Sequence, residues 1–317
     1  MSKKRSRIGF SKSSYKQQSL LKAIFVVISI AAALSLSVFL IIRQSRLGAN
    51  TKAIVQFWED GNYDETCRLA AAELEKKPMD LSLLTIYGFS SYQAALAQIN
   101  NHDTQLYIDN CIWSLRKALL LRGGNQDARI YYVLGKAYYI KSPYYADLAV
   151  KYLEEARSMN YEASDLSEYL GLAYAAIQDY RSSVEALTLS LDPSGNSHNI
   201  EISDLRLLSI AQSYIGLGEH ESARAYLIQC IDTSKDEDVA LKARLLLASA
   251  LLELGDVDGA MFQFSTINEI SGGNADAYYQ LGEIYAAAGD VVKARAEWRN
   301  AVRVNPLHAH ARERLNR

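Results

Sequence analysis

The spacing of apolar positions divides the chain into one long apolar run and a series of amphipathic segments. Residues 23–42 (AIFVVISIAAALSLSVFLII) are 20 uncharged and mostly apolar positions. From about residue 50 onward, apolar residues recur every three or four positions, which is the period of a helix with one buried face. Short Gly-rich or polar joints interrupt this period at 122–127, 192–199, 233–238 and 271–274. The pattern predicts an all-α protein built from helices that pack in pairs.

The apolar run at 23–42 is long enough to cross a membrane. Twenty residues at about 1.5 Å per residue match a hydrocarbon core of about 30 Å. A cleaved signal peptide is the alternative, but its apolar region normally has about 7–15 residues and ends in a small-x-small site. Here Leu47-Gly48-Ala49 follows the run, with Leu at the outer small position. The sequence therefore favours an uncleaved transmembrane anchor at 23–42.

The charges on the two sides of this run predict its orientation. Residues 1–22 form a basic tail with seven Lys and Arg, whereas three follow the run by residue 52. The more basic flank of a membrane span normally stays in the cytoplasm. We therefore expect a single-pass protein of a bacterial inner membrane, with its N-terminus in the cytoplasm and its C-terminal domain in the periplasm.

One arrangement of small and large residues recurs along the helical region. Counted from Gly282, the offsets of 3, 7, 12, 16 and 19 give Tyr285, Gly289, Ala294, Trp298 and Ala301. The same offsets recur from five other small residues: Ala248, Ala211, Gly171, Gly135 and Gly88. The units that begin at Gly135 and Gly88 follow them with slippage. These six starting positions are separated by 47, 36, 40, 37 and 34 residues. The chain therefore contains an internal repeat with a period near 34 residues.

A helical repeat with this period and pattern resembles the tetratricopeptide repeat (TPR) family over most of residues 50–306. The resemblance implies a right-handed α-solenoid of about seven TPR-like helical hairpins. The small residue that opens each unit would lie where two helices cross, and a proline closes the last unit, which gives packing roles to Gly88, Gly135, Gly171, Ala211, Ala248, Gly282 and Pro306. Breaks between paired helices are expected at Gly218, Gly255 and Gly289. Residues 307–317 are expected to form a short C-terminal capping helix.

The resemblance also implies where partners bind. A TPR solenoid presents a concave wall made by the first helix of each unit. By family geometry, partner-binding positions on this wall include Phe89, Tyr92, Arg129, Tyr132, Lys136, Tyr139, Leu205, Leu208, Gln212, Ile215, Leu245, Leu252 and Tyr279. The expected ligand is a peptide or helix of another protein. The alternative for the tyrosines is that they only fill space between helices.

Residue types that usually carry catalysis or metal binding are few and poorly spaced. Cys67, Cys111 and Cys230 form no CxxC pair and lie at small buried positions of the predicted helices. His308 and His310 are two residues apart, so a helix places them on different faces. No nucleophile elbow or HExxH motif occurs in the sequence. We therefore expect no enzyme activity, no cofactor, no metal site and no small-molecule substrate.

The distribution of charge argues against nucleic acid as a partner. Residues 1–52 contain ten Lys and Arg and no acid, whereas the remainder of the chain has a net charge of −12. Together they give the net charge of −2. Binding to phosphate backbones depends on clustered Lys and Arg. The sequence thus predicts a non-catalytic scaffold that docks partner proteins or client segments in envelope biogenesis or secretion. The alternatives are a structural component of a large envelope machine, such as a flagellar or secretion apparatus, and a regulatory subunit of an envelope enzyme.

Overall fold

The computed structural model describes residues 49–189 and 203–316. These two ranges contain fifteen α-helices and no strand, which confirms the all-α prediction for this part of the chain. The predicted basic tail at 1–22 and the predicted anchor at 23–42 lie outside the described residues. Among the fifteen helices, none combines the length and the apolar content that crossing a bilayer requires.

The helices belong to two compact units. The first unit contains Ser158–Tyr161 and the helices α1 (Ala49–Glu59), α2 (Tyr63–Lys76), α3 (Leu81–Ala97), α4 (Asn101–Leu119) and α5 (Ala128–Lys141). The second unit contains α6 (Ala146–Ser158, without its last residue), α7 (Leu166–Ala176), α8 (Tyr180–Leu189), α9 (Asp204–Gly216), α10 (His220–Thr233), α11 (Glu237–Glu253), α12 (Val257–Ser271), α13 (Ala275–Ala287), α14 (Val291–Val304) and α15 (Ala309–Asn316). Two single 3₁₀ turns occur at Gly124–Gln126 and Pro143–Tyr145.

Left-handed residues end the first helix of a pair where the repeat pattern predicts a break. Gly218, Gly255 and Gly289 have φ angles of +75°, +78° and +83°. This conformation is accessible to glycine but costs an L-residue about 1–2 kcal/mol. Gln178 holds the same position between α7 and α8 with φ of +64°. The backbone turn is therefore common to these pairs, although one of them lacks the glycine.

Polar side chains cap the second helix directly after the turns at Gly255 and Gly289. Asp256 accepts a hydrogen bond from the backbone N–H of Gly259 at 2.9 Å, and Asp290 accepts one from Lys293 at 3.0 Å. Such N-cap bonds satisfy backbone donors that the first turn of a helix leaves unpaired, and each stabilises by about 1 kcal/mol. The turn and its cap thus fix the start of the second helix through local interactions.

Small residues lie where paired helices cross. A Cβ at Gly88 would overlap the side chain of Leu115, and a Cβ at Gly282 would overlap the indole of Trp298. The other small residues of the repeat pattern are buried as well: Gly135, Gly171, Ala211 and Ala248. Pro306 is exposed in the turn that follows α14. Close approach of two helices needs a small residue at the crossing, since larger ones hold the backbones apart.

Each unit has its own core. In the first unit, α3 packs against α2, α4 and α5, and 11 of its 17 residues are buried. In the second unit, Phe264 and Leu227 lie in a cluster that runs from α9 to α13. A smaller cluster around Trp298 joins α14 to α15 through Ala311. Helix α3 is thus covered on several sides, whereas the second unit spreads its core along a series of hairpins.

Candidate protein-binding surfaces

Three of the groove residues predicted in the first unit meet in a tyrosine–lysine cluster on α3 and α5. The Lys136 ammonium lies 5.5 Å from the ring centroid of Tyr92 and 4.9 Å from that of Tyr132. It also donates a hydrogen bond to the Tyr132 hydroxyl at 3.1 Å. The Tyr132 ring packs against Tyr161 with centroids 5.0 Å apart. These cation–π contacts hold the Lys136 side chain within its own unit, where it is only 8% exposed.

The other groove positions of the first unit also offer little surface. Phe89 and Tyr92 are 1% and 3% exposed, because α2, α4 and α5 surround α3. Arg129 donates from Nε and Nη2 to the Asp127 carboxylate at 2.8 and 2.6 Å, and Tyr139 is half-buried. Phe89, Tyr92 and Lys136 therefore have almost no surface left for a partner. Their side chains hold the unit together.

The first helices of the second unit leave more apolar surface uncovered. Leu205 at the start of α9 is 61% exposed, whereas Leu208 is 3% exposed and belongs to the core. Four further predicted residues are half-buried on α9 and α11: Gln212, Ile215, Leu245 and Leu252. The three aliphatic ones pack at the margin of the core. We call the surface formed by Leu205 and these four residues the first-helix wall.

The last groove residue, Tyr279, lies against the C-terminal helix. Its ring centroid is 5.8 Å from that of His310 on α15. It is also 5.2 Å from that of His308, which directly precedes α15 and whose Nε2 lies 3.0 Å from the Asp276 carboxylate. Arg314 on α15 donates to Glu283 on α13 through Nε at 2.9 Å and through Nη2. Helix α15 therefore already occupies the groove positions of α13. A sequence pattern read repeat by repeat does not show this cover.

The cysteines have the surroundings of core residues. Burial raises the pKa of the Cys67 thiol to about 11, and it raises the pKa of Cys111 and Cys230 as well. A thiol with a raised pKa is a poor nucleophile near neutral pH, because only the thiolate reacts. Within residues 49–189 and 203–316, no three His, Cys, Asp or Glu side chains are grouped as metal ligands.

One surface feature was absent from the sequence predictions. Trp113 on α4 is 50% exposed and lines a cavity of about 550 Å³ with Leu74, Pro78 and Tyr87. The signal for it is a set of large apolar residues seven positions apart: Leu106, Trp113 and Leu120. That spacing is hidden by the stronger three- and four-residue pattern of the buried face.

Comparison with known proteins agrees with the repeat pattern. A family model described as a tetratricopeptide repeat-like domain matches residues 151–315, more than half of the chain. The C-terminal part of a TPR repeat-containing protein from Cytophaga hutchinsonii superposes with a TM-score of 0.60 at 14% identity, covering 83% of this chain and 98% of that one. YrrB, a TPR protein with an unusual peptide-binding site, gives a TM-score of 0.49 at 21% identity, with 63% and 96% covered.

A sequence relative covers a shorter stretch. The protein CTR9 homolog of Arabidopsis thaliana is 28% identical over 104 residues, which is 32% of this chain and 10% of that protein. This chain thus spans about a tenth of the relative's length.

Proposed function

The chain belongs to the tetratricopeptide repeat-like family, and from this premise we propose that it is a non-catalytic scaffold that binds partner proteins. The family fold supports a scaffold for protein–protein interaction and is typically non-catalytic. The proposed binding surface is the first-helix wall of the second unit. The proposed ligand is an amphipathic helix or an extended segment with aliphatic side chains.

The observation that carries this proposal is the uncovered apolar surface on α9 and α11. Leu205 is 61% exposed, and Ile215, Leu245 and Leu252 pack at the core margin with part of each side chain uncovered. On α9 the wall residues lie at spacings of seven and three, and on α11 the two wall residues are seven apart, so those of one helix share one face. Apolar side chains on such a face with polar neighbours such as Gln212 suit a ligand that is apolar on one side only.

A matched pair of variants tests the wall. Ser249 is exposed on α11, four residues after Leu245 and three before Leu252, so it borders the wall. Leu205→Glu combined with Ser249→Glu, the wall variant, therefore places two carboxylates there, and both residues are exposed in the free protein. The control is Phe262→Glu combined with Ser265→Glu, which places two carboxylates at exposed positions of α12, the second helix of its pair. We expect the wall variant to recover at least tenfold less partner than the wild type in membrane-preserving pull-downs, measured by quantitative mass spectrometry. The control should retain the partner.

Stability measurements keep the result interpretable. Exposed substitutions usually change the free energy of unfolding by less than about 0.5 kcal/mol, so all three proteins should melt together. Equal recovery of the partner by the wall variant and the wild type would refute the wall as the binding surface. Equal loss of the partner in the wall variant and in the α12 control would also refute it, because the effect would then be one of added charge.

We further propose that residues 23–42 anchor the chain in a bacterial inner membrane with the repeats in the periplasm. The support is the 20-residue apolar run and the seven bases that precede it. On this proposal, the partners act in envelope biogenesis or secretion. C-terminal fusions to alkaline phosphatase and to a fluorescent protein test the topology. We expect an active phosphatase fusion. An inactive phosphatase fusion together with a fluorescent protein fusion that is bright would show the opposite orientation.

A further inference from the structure

The outer face of α4 carries large apolar side chains that the described part of the chain leaves uncovered. Leu106, Trp113 and Leu120 are 55%, 50% and 78% exposed. They are seven residues apart, with Asn110 and Lys117 between them at spacings of four and three. The spacing of seven keeps the three apolar side chains on one side of the helix, but the positions between them are polar, so only half of the a and d positions of a coiled-coil repeat are apolar. The face therefore carries one apolar stripe with polar residues between its members, and we call this stripe the seam.

The seam is self-complementary about Trp113. Leu106 lies seven residues before Trp113, and Leu120 lies seven residues after it. Asp109 lies four residues before it, whereas Arg116 and Lys117 follow at three and four. When one copy of α4 is turned end for end on another, apolar residues meet apolar residues and the acid meets the bases.

The space beside Trp113 can receive a ring from outside. The cavity of about 550 Å³ lies between α2 and α4, with Leu74, Pro78 and Tyr87 in its lining. Lys117 holds its ammonium 4.4 Å from the Trp113 ring centroid, which places the base at the edge of the seam. Each copy thus offers both a protruding indole and an apolar hollow next to it. Trp and Tyr are residue types that often dominate binding at interfaces.

We propose that two copies of the chain associate by antiparallel pairing of their α4 helices about a two-fold axis at Trp113. Leu106 then faces Leu120 of the second copy, and Asp109 faces Arg116 and Lys117 of the second copy. Asp109 already pairs with Lys141 but keeps 54% of its side chain exposed, so a carboxylate oxygen remains accessible. The contact is isologous, as in a closed dimer, because each residue and its partner exchange roles.

Cysteine cross-linking of the full chain in membranes tests the register. Trp113→Cys should form a disulfide-linked dimer on mild oxidation, because the axis brings the two thiols together. Leu106→Cys alone and Leu120→Cys alone should stay monomeric, since each thiol lies about 21 Å from its own copy across the axis. A mixture of these two variants should cross-link. The wild type is the background control, because Cys67, Cys111 and Cys230 are buried.

Charge reversal gives a second readout that does not depend on disulfide geometry. Asp109→Lys and the double variant Arg116→Glu with Lys117→Glu should each weaken self-association about tenfold or more, equivalent to about 1.4 kcal/mol. Mixed in detergent and measured by sedimentation, the two should associate, because each supplies the charge that the other lacks. Self-cross-linking of Leu106→Cys, no cross-linking of Trp113→Cys, or no recovery in the mixture would overturn the proposal.

Discussion

The substitution Gly282→Ala tests whether α13 and α14 touch where the repeat pattern places their crossing. A Cβ at this position would overlap the Trp298 indole and lie 3.1 Å from the carbonyl oxygen of Ala294. Trp298 is 6% exposed and packs in the terminal cluster with Ala301 and Ala311. The ring therefore cannot move aside without uncovering part of that cluster.

Two effects of opposite sign determine the result. Alanine favours a helix over glycine by about 1 kcal/mol. Overpacking a filled core costs about 1–3 kcal/mol, and a rigid ring with a backbone oxygen places this site in the upper part of that range. We expect a net loss of about 1–2 kcal/mol, which lowers the melting temperature by about 2–8 °C for a unit of this size. Gly282→Arg should cost several kcal/mol more, because it adds a buried charge.

Thermal and urea denaturation followed by circular dichroism and tryptophan fluorescence measure the effect. Ala296→Gly is the control, since Ala296 is exposed within α14 and should lose only the helix preference of about 0.5–1 kcal/mol. If Gly282→Ala instead gains the full helix preference of about 1 kcal/mol, the two helices do not touch at Gly282 and the packing argument fails.

Three further predictions concern local features of the same units. Gln178→Gly should stabilise by about 1 kcal/mol in urea denaturation, because φ is +64° there, whereas Gly255→Ala should destabilise by a similar amount. Cys67 should react with a thiol reagent at pH 8 only as fast as the protein opens, because burial raises its pKa to about 11; rapid labelling of the native protein would contradict this. A hydrogen bond from the Ser234 hydroxyl lowers the pKa of Asp204, so its stabilisation is present above its unfolded pKa of about 3.9 and is lost as the pH falls through the lowered folded value. Asp204→Asn should therefore make stability less dependent on pH at the acid end, which pH-dependent melting would detect.

The helix boundaries could be predicted because they depend on neighbouring residues. The joint predicted at 122–127 lies between the end of α4 at Leu119 and the start of α5 at Ala128. The side-chain oxygen of Asn100 caps α4 by accepting hydrogen bonds from the backbone N–H groups of His102 and Asp103, at 2.7 and 3.1 Å. Gly218, Gly255 and Gly289 likewise form turns whose conformation is a property of the residue itself. These interactions reach no further than four residues along the chain.

The exposure of the predicted groove residues could not be derived in the same way. Repeat geometry places Phe89 and Lys136 on the first helices, but it does not state how much surface the neighbouring helices leave to them. Phe89 is buried because three helices surround α3, and Lys136 is buried because Tyr92 and Tyr132 enclose it. Burial depends on residues that are far away in the sequence, so it follows only from the packed structure.

By itself, the sequence determined the helical repeat, its period and its turns, since these follow from apolar spacing and from the conformational preferences of single residues. Only the tertiary structure decided which surfaces remain for partners. It turned the tyrosine–lysine cluster inward, set α15 against Tyr279 and left Leu205 and Trp113 exposed. The physical reason is that a helix has one strong periodic signal for its buried face, whereas the cover over its other faces is supplied by helices elsewhere in the fold.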